Sequence, residues 1–303
     1  MKKILLIGSA GYIGTKLVMD FEKISEIKLC NIDIGWFSKN KTFEQLDYKY
    51  LSKNFVEKHD VVILLAGHSS VQMSEQNYES TFNNNVTNFI NLCKILDNSK
   101  IKFIYASSAS VYNDLNVLKY DENWKSDSIN FKNPYDLTKS LLDKLINNFN
   151  IEYYGLRFGT VNGWSPHARN DVMLNAMTYH ALNTGEIILL NPDTNRSILD
   201  IEDLSACIRA ILNNKNDLRG IYNLSSFNIT SEKAAEIVSQ KTNSKIILKE
   251  NTNKNYDFIL NCEKFCNNFN FKFNGNAESI TDGLIKNYKN IFFSNRKEKI
   301  KYV

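Results

Sequence analysis

The chain contains 303 residues, of which 43% are hydrophobic and 12% aromatic, and it carries a formal net charge of +4. This composition fits a folded protein with a sizeable core, and its interspersed acidic and basic residues give no indication of nucleic-acid binding. No apolar run approaches the roughly 18 residues of a membrane-spanning helix, and Met1-Lys2-Lys3 leads directly into a strand pattern, so we expect a cytoplasmic protein without membrane contacts. The cysteines and histidines show no metal-ligand spacing, so we expect no bound metal.

The first predicted elements are a strand, a tight turn and a helix. Residues 3–7 form a short strand, with isoleucine and leucine from Ile4 onward, that ends at Gly8, and an amphipathic stretch begins at Tyr12. The turn has the spacing Gly8-x-x-Gly11-x-x-Gly14. Gly8 permits the turn, Gly11 lets a pyrophosphate approach the backbone, and Gly14 lets the helix pack on the strand, so this spacing predicts dinucleotide binding.

The second predicted strand covers residues 27–33 and ends in Asp33, 19 residues after Gly14. A carboxylate at this position accepts hydrogen bonds from the adenosine ribose hydroxyls and repels a 2′-phosphate. The sequence therefore predicts NAD rather than NADP as the cofactor, the alternative being an unrelated surface aspartate.

Strands and helices continue to alternate along the chain. A strand at 60–67 is continuously apolar after Asp60 and ends in the small residues Ala66 and Gly67, as expected for a parallel strand covered on both faces. The segments that follow are a helix at about 76–97, a strand at 102–108, a helix at 135–149 and a strand at 151–158. This order predicts an α/β fold with a Rossmann-type doubly wound parallel sheet.

The regular alternation loosens after about residue 160. Predicted helices near 171–183, 202–213 and 231–241 are separated by strands at 186–190 and 221–225. We therefore predict an NAD-binding domain over residues 1–160, to which later segments return, and a mainly substrate-binding lobe over 161–303. This smaller lobe should be mixed α/β, with the substrate cleft between the two parts at the carboxyl ends of the strands.

Tyr135 and Lys139 are four residues apart on a predicted helix, which places a phenol and an ammonium on one face. Alone, this spacing also describes an exposed helix face, but combined with the glycine turn and the strand that ends in Ser107 and Ser108 it predicts redox chemistry on a nicotinamide cofactor. We expect Tyr135 to act as the base, with its pKa lowered by Lys139, which would also anchor the nicotinamide ribose. Ser108 would hold the reacting oxygen, with Ser107 as the next candidate.

These motifs resemble those of the extended short-chain dehydrogenase/reductases, and within them the NAD-dependent nucleotide-sugar epimerase/dehydratase group. The resemblance spans roughly residues 1–290, with the motifs in the family order. Further matching segments are Asn85-Val86, Ser107-Ser108-Ala109-Ser110-Val111-Tyr112, Leu156-Arg157-Phe158 and Arg196-Ser197-Ile198-Leu199-Asp200-Ile201-Glu202-Asp203.

The resemblance implies a set of binding residues and a quaternary structure. The implied NAD contacts are Gly8, Gly11, Tyr12, Ile13, Gly14, Asp33, Asp47, Leu65, Ala66, Gly67, Asn85 and Lys139. The implied substrate contacts are Ser70, Ser107, Ser108, Thr160, Asn170 and Arg196, of which Arg196 would meet a diphosphate. A surface arginine remains the alternative for Arg196, and a helix N-cap for Asn170. The family usually pairs the helices near 76–97 and 135–149 in a homodimer, and apolar positions on both helices favour that arrangement or a larger assembly built from it.

Two departures from the family pattern narrow the expected reaction. The 4,6-dehydratases carry an Asp-Glu pair directly after the catalytic hydroxyl, where this chain has Ala109 and Ser110, so 4,6-dehydration is disfavoured. Thr160 replaces the usual asparagine, which alters the expected grip on the substrate. We therefore predict NAD-dependent oxidation at C4 of a nucleotide-diphosphate sugar in surface-polysaccharide biosynthesis, by a C4 dehydrogenase or as the oxidising step of a 4-epimerase. The alternatives are an NAD(P)H-dependent 4-ketosugar reductase and a non-catalytic NAD-binding regulator.

Overall fold

The computed structural model describes residues 1–36, 42–112, 119–123, 131, 133–249 and 257–293. The strands are β1 Lys2–Ile7, β2 Ile27–Asp33, β3 Glu44–Gln45, β4 Val61–Leu64, β5 Lys102–Ser108, β6 Lys119–Tyr120, β7 Tyr153–Phe158, β8 Thr160–Asn162, β9 His167–Ala168, β10 Glu186–Leu189, β11 Asn195–Asp200, β12 Gly220–Leu224, β13 Phe227–Thr230, β14 Lys245–Leu248, β15 Ile259–Leu260 and β16 Phe292–Phe293. The helices are α1 Tyr12–Phe21, α2 Lys53–Val56, α3 Val71–Gln76, α4 Tyr78–Phe82, α5 Asn88–Leu96, α6 Pro134–Leu145, α7 Met173–Thr184, α8 Ile201–Asn213, α9 Ser231–Thr242, α10 Glu263–Phe269 and α11 Ala277–Asn287.

The largest sheet has the strand order β12-β7-β5-β4-β1-β2-β3, and every neighbouring pair in it is parallel. All four residues of β4 are buried, as are Ile4–Ile7 of β1. Complete burial is expected for central parallel strands, because helices cover both faces of such a sheet. The strand order reverses direction at β1 and β4, which is the doubly wound arrangement predicted from the sequence.

Two apolar layers cover the sheet. On one face, Leu17 of α1 and Ile208 of α8 belong to the same buried cluster as Ile4 and Ile63. On the other face, residues of α5 and α6 pack with alternate residues of the same strands. The predicted helix at 76–97 is formed by α4, a π-helical turn at Asn83–Thr87 and α5. Such turns are rare and often lie near functional sites.

The remaining strands form smaller sheets, of which one has the order β13-β11-β8 and another pairs β10 with β14. The helices α7, α9 and α11 enclose a separate apolar cluster beside them. Later segments return to the large sheet, because β12 pairs with β7 and α8 packs beside α1. The boundary near residue 160 remains a prediction.

Among the described residues, no helix is long and apolar enough to cross a membrane. The same part of the chain contains no group of three or more His, Cys, Asp or Glu side chains placed to hold a metal ion.

Candidate active site

A cavity of about 400 Å³ lies at the carboxyl ends of the large sheet. Among the predicted cofactor residues, it is lined by Gly8, Gly11, Tyr12, Ile13, Gly14, Asp33, Asp47, Leu65, Ala66, Gly67 and Lys139. Among the other predicted site residues, it is lined by Ser70, Ser107, Ser108, Tyr135, Thr160 and Arg196. Asn85 and Asn170 do not line it.

The glycine turn forms one end of the cavity. Gly8 has a φ of +91°, and a Cβ on Gly14 would lie 2.1 Å from the Gly8 carbonyl oxygen, so neither position accepts a side chain without displacement of the backbone. A Cβ on Gly11 would meet only the Gly8 oxygen, at 3.4 Å. The backbone at Gly11 therefore stays open to the cavity directly before the N-terminus of α1, which is the arrangement that suits a pyrophosphate.

Asp33 lies at the end of β2 beside this turn. Its carboxylate accepts hydrogen bonds from the backbone nitrogens of Ala10 at 3.0 Å and Gly35 at 2.7 Å. Burial raises the pKa of the Asp33 carboxyl, and these backbone hydrogen bonds oppose the shift. The chain thus fixes a carboxylate at the position where the sequence predicts the adenosine ribose.

Asn85 lies behind the cavity wall, in the π-helical turn. Its Oδ1 accepts a hydrogen bond from the His68 backbone at 2.8 Å, and its Nδ2 donates to the His68 carbonyl oxygen at 3.1 Å and to Thr138 Oγ1 at 3.2 Å. Asn85 therefore connects the loop after β4 to α6. The His68 ring is buried and bonded to Thr81 Oγ1 at 2.7 Å, and burial lowers the pKa of His68 to about 4, so the imidazole serves the fold in its neutral form.

Tyr135 and Lys139 line the cavity from α6, which begins at Pro134 after the N-cap Asn133. The Lys139 Nζ atom donates to the Ala106 carbonyl oxygen at 2.7 Å and lies 5.8 Å from the centre of the Tyr135 ring. Burial lowers the pKa of Lys139 to about 8, and the Asp143 carboxylate opposes the shift. The ammonium is thus fixed between the end of β5 and the phenol ring, and it remains mostly charged at neutral pH.

Ser107 and Ser108 end β5 and also line the cavity, and their hydroxyls have different partners. Ser107 Oγ donates to Asp143 Oδ2 at 3.0 Å, and this buried carboxylate also accepts from Arg157 Nε at 2.7 Å. Ser108 Oγ instead lies 2.9 Å from the hydroxyl oxygen of Ser110. Ser107 is therefore tied into the protein interior, whereas Ser108 remains at the cavity surface.

Arg169 and Trp36 also line the cavity, although the sequence did not predict them as site residues. The Arg169 guanidinium donates two hydrogen bonds to the Asp171 carboxylate, both at 2.8 Å, and lies 3.4 Å from the Ser69 carbonyl oxygen. Trp36 packs against His68 with ring centres 5.7 Å apart. An arginine followed two residues later by an aspartate was the available signal for Arg169, but so short a pattern does not distinguish a cavity wall from a surface pair.

The family model for the NAD dependent epimerase/dehydratase family matches residues 4–225. The match covers well over half of the chain, and the chain belongs to this family, whose cofactor is NAD. The family prediction and the predicted cofactor are thereby confirmed.

Relatives among curated proteins match parts of the chain. Protein CapI of Staphylococcus aureus is 31% identical over 216 residues, which cover 62% of each chain. A UDP-glucose 4-epimerase of Lactobacillus helveticus is 28% identical over 178 residues, which cover 54% of this chain and 53% of the relative. The match thus spans between about half and two thirds of the length of these relatives.

Solved structures match nearly the whole chain. The UDP-glucuronic acid 4-epimerase of Bacillus cereus, in complex with UDP-glucuronic acid and NAD, has a TM-score of 0.81 at 19% identity and covers 96% of this chain and 100% of its own. TunA, an NAD-dependent NDP-hexosamine 5,6-dehydratase, has a TM-score of 0.81 at 18% identity and covers 95% and 98% of the two chains. At these identities the likeness concerns the fold, and it confirms the Rossmann-type fold class.

Proposed function

We propose that this protein catalyses the NAD-dependent oxidation at C4 of a nucleotide-diphosphate sugar, as a C4 dehydrogenase or as the first step of a 4-epimerase. The observation that carries the proposal is that Tyr135, Lys139 and Ser108 line the same cavity as the glycine turn and Asp33. The names of two relatives, UDP-glucose 4-epimerase and UDP-glucuronic acid 4-epimerase, favour this reaction and a uridine-diphosphate sugar as the substrate.

The cavity suits NAD in two respects. The backbone at Gly11 is open where a pyrophosphate would bind, and the Asp33 carboxylate lies where a ribose diol would donate hydrogen bonds. When bound, NAD supplies the acceptor for the hydride that leaves C4. The protein supplies proton transfer, orientation and charge stabilisation.

Tyr135 takes the proton from the hydroxyl at C4, because it is the phenol that lies beside the fixed Lys139 ammonium. The positive charge of Lys139 stabilises the phenolate form, and its bond to the Ala106 carbonyl oxygen holds it in place. Ser108 donates a hydrogen bond to the reacting oxygen. Ser107 is the weaker candidate, because its hydrogen is already donated to Asp143.

The positions of the carboxylates that line the cavity favour C4 oxidation over dehydration, because both lie in the predicted cofactor region. Among the described lining residues they are Asp33 and Asp47. Elimination of water from a sugar needs a general acid beside the substrate, and Ala109 and Ser110 supply no carboxyl group there. Arg196, Thr160 and Ser70 line the cavity and are the proposed substrate contacts. Asn170 is the weakest member of the predicted set.

The test is an assay with NAD and a panel of nucleotide-diphosphate hexoses and heptoses that begins with UDP-glucose and UDP-glucuronic acid. NADH absorbance detects a net dehydrogenase, and NMR of the sugar detects an epimer. Tyr135→Phe should lower turnover by about 10²–10⁴-fold and leave NAD affinity nearly unchanged, because only the acid–base oxygen is removed. Ser108→Ala should lower turnover by a smaller factor than Tyr135→Phe does.

Lys139→Met should lower both turnover and NAD affinity, whereas Lys144→Met, an exposed lysine on the same helix, should change neither. Unchanged turnover in Tyr135→Phe would refute the proposed mechanism. Consumption of NADPH with a 4-ketosugar, without C4 oxidation, would favour the reductase alternative. Tight NAD binding with no reaction on any sugar would favour the regulator.

We also propose a homodimer. Phe82 is 45% exposed, and it borders an apolar groove between α5 and α6 that is completed by Val86, Ile90, Leu141 and Leu145. A two-fold axis along this groove would pair the same apolar surfaces of two copies. Light scattering should give the mass of a dimer at micromolar concentration, and Ile90→Glu should give a monomer. A monomeric parent protein would refute the proposal.

The cytoplasmic location and the role in surface-polysaccharide biosynthesis remain predictions.

A further inference from the structure

Ser107, Ser108 and Ser110 lie together at the carboxyl end of β5, and all three line the cavity. Ser107 donates its hydrogen to the Asp143 carboxylate. A serine hydroxyl has one hydrogen and two lone pairs, so Ser107 can offer a substrate only a lone pair. Neither the family assignment nor the proposed mechanism gives a role to Ser110.

Ser110 contacts Ser108 with both its backbone and its side chain. The Ser110 backbone nitrogen donates a hydrogen bond to Ser108 Oγ at 3.2 Å, and the two hydroxyl oxygens are 2.9 Å apart. Both contacts arise because the chain turns immediately after β5 into a short 3₁₀ helix at Ala109–Tyr112. A serine oxygen that accepts from the backbone nitrogen two residues later is a common local turn.

We propose that Ser110 is a positioning residue that directs the Ser108 hydroxyl hydrogen into the cavity, toward the oxygen at C4 of the substrate. The proposal rests on the proposed function. With the Ser110 N–H on one lone pair of Ser108 Oγ and the Ser110 hydroxyl on the other, the group of Ser108 that remains for the substrate is its hydrogen.

The direction of the bond between the two hydroxyls follows from the reaction. Once Tyr135 has taken the proton from the sugar hydroxyl, the oxygen at C4 can only accept hydrogen bonds, so Ser108 donates its hydrogen to it. Ser110 then donates to Ser108, because Ser108 has no second hydrogen. Hydrogen bonds in such a chain polarise one another, and this strengthens the donor that faces the developing negative charge.

A double-mutant cycle on the full-length protein tests the proposal. Ser110→Ala should lower kcat by about 2- to 12-fold, the effect of one neutral hydrogen bond, and leave the NAD dissociation constant unchanged. In a protein that already carries Ser108→Ala, adding Ser110→Ala should have no further effect on kcat, because Ser110 acts through Ser108. Ser110→Thr retains the hydroxyl and should keep at least about half of the parent turnover. The thermal unfolding midpoints of all variants should be recorded in parallel.

Several results would overturn the proposal. Equal losses from Ser110→Ala with and without Ser108 would show that Ser110 acts directly on the substrate or on the fold. An unchanged kcat in Ser110→Ala, or a loss in Ser110→Thr equal to that in Ser110→Ala, would also overturn it. In these cases the parent protein still oxidises the sugar, so the proposed function stands. A parent protein inactive on every nucleotide sugar would instead refute the proposed function, and the role of Ser110 with it.

Discussion

The two sides of the cavity are built from different kinds of contact. On the proposed cofactor side, formed by the glycine turn and the end of β4, backbone packs directly on backbone. A Cβ on Gly8 would lie 2.5 Å from the Ala66 backbone nitrogen, and a Cβ on Gly14 would lie 2.1 Å from the Gly8 carbonyl oxygen. On the side proposed to bind the substrate, which Thr160, Arg169 and Arg196 line, polar side chains behind the lining residues join short sheets and loops. Asn162 Oδ1 accepts from the backbone nitrogen of Leu174 at 2.9 Å, and Asp203 Oδ2 accepts from that of Gly275 at 2.9 Å.

This difference predicts which positions of the cavity wall tolerate substitution. A wall made of backbone and glycine tolerates few substitutions, so one cofactor site can be kept among many sequences. A wall held by asparagine, serine and aspartate side chains changes with single substitutions, which suits a region that determines substrate choice. Substitutions on each side should therefore have separable effects on NAD binding and on the stability of the fold.

The largest effect is expected from Gly14→Ala on the cofactor side. The added methyl group would lie 2.1 Å from the Gly8 oxygen and 2.7 Å from Ser9 backbone atoms, so α1 would have to move away from the turn. We expect NAD binding to fall below detection by calorimetry, together with a lower thermal midpoint. Gly11→Ala is the matched control, because its methyl group meets the protein only at 3.4 Å. It should keep the parent midpoint and weaken NAD only, and a normal NAD affinity in Gly14→Ala would contradict the close-contact argument.

The next largest effect is expected from Asn175→Ala on the substrate side. Asn175 is 1% exposed, accepts from the Gly163 backbone nitrogen at 2.9 Å and donates to the Arg169 carbonyl oxygen at 2.9 Å. Each buried backbone group left without a partner costs about 1–3 kcal/mol, so we expect a loss of roughly 2–4 kcal/mol in urea unfolding. Asn183→Ala, an exposed position on the same helix, should change stability by less than about 0.5 kcal/mol. Equal effects at the two positions would refute the importance of the buried bridge.

The elements around the glycine turn could be predicted from the sequence more directly than the surroundings of Arg169, and the cause is physical. Apolar strands, glycine spacing and the Asp33 carboxylate are local signals, and the elements they predicted were found. Arg169 was missed because a short Arg-x-Asp pattern does not show whether the pair of Arg169 with Asp171 faces a cavity; that depends on tertiary contacts around it, such as the bond from Asn175 to the Arg169 carbonyl oxygen. The neighbouring Asn170 was predicted from the resemblance but does not line the cavity. The bond from the Tyr12 hydroxyl to the Gly163 carbonyl oxygen, at 2.8 Å, likewise joins the two sides without a sequence signal.

The cofactor side also contains a functional side chain, the Asp33 carboxylate, and Asp33→Asn tests what it contributes to the preference for NAD over NADP. The amide keeps an acceptor for the Ala10 backbone but removes the charge that repels a 2′-phosphate. Since hydrogen bonds to charged groups contribute about 1.5–3 kcal/mol, the ratio of NAD to NADP affinity should fall by roughly 10- to 150-fold. Asp47→Asn, which changes another cavity-lining carboxylate, should leave that ratio within about 2-fold. If the parent protein binds NADP as well as NAD, the role assigned to Asp33 is wrong.

The smallest effect is expected at Asp200, which ends β11 and is the N-cap of α8 and so lies where the two sides join. Its carboxylate accepts a hydrogen bond from the Glu202 backbone nitrogen at 3.0 Å. Burial raises the pKa of Asp200 to about 7, and the Asp203 and Glu202 charges add to the shift. The folded state therefore holds this proton more tightly than the unfolded state does. The stability contributed by Asp200 is largest at acidic pH and declines as pH rises through about 7.

Asp200→Asn is uncharged at every pH, so its stability relative to the parent should increase by about 1–2 kcal/mol between pH 6 and pH 8 in urea unfolding. Asp282→Asn removes an exposed carboxylate that is paired with Lys241, and its difference from the parent should stay nearly constant over the same range. A flat difference for Asp200→Asn would mean that the carboxyl ionises normally in the folded protein. The junction between the two sides would then carry an ordinary charge, and the contrast between them would rest on packing and hydrogen bonds alone.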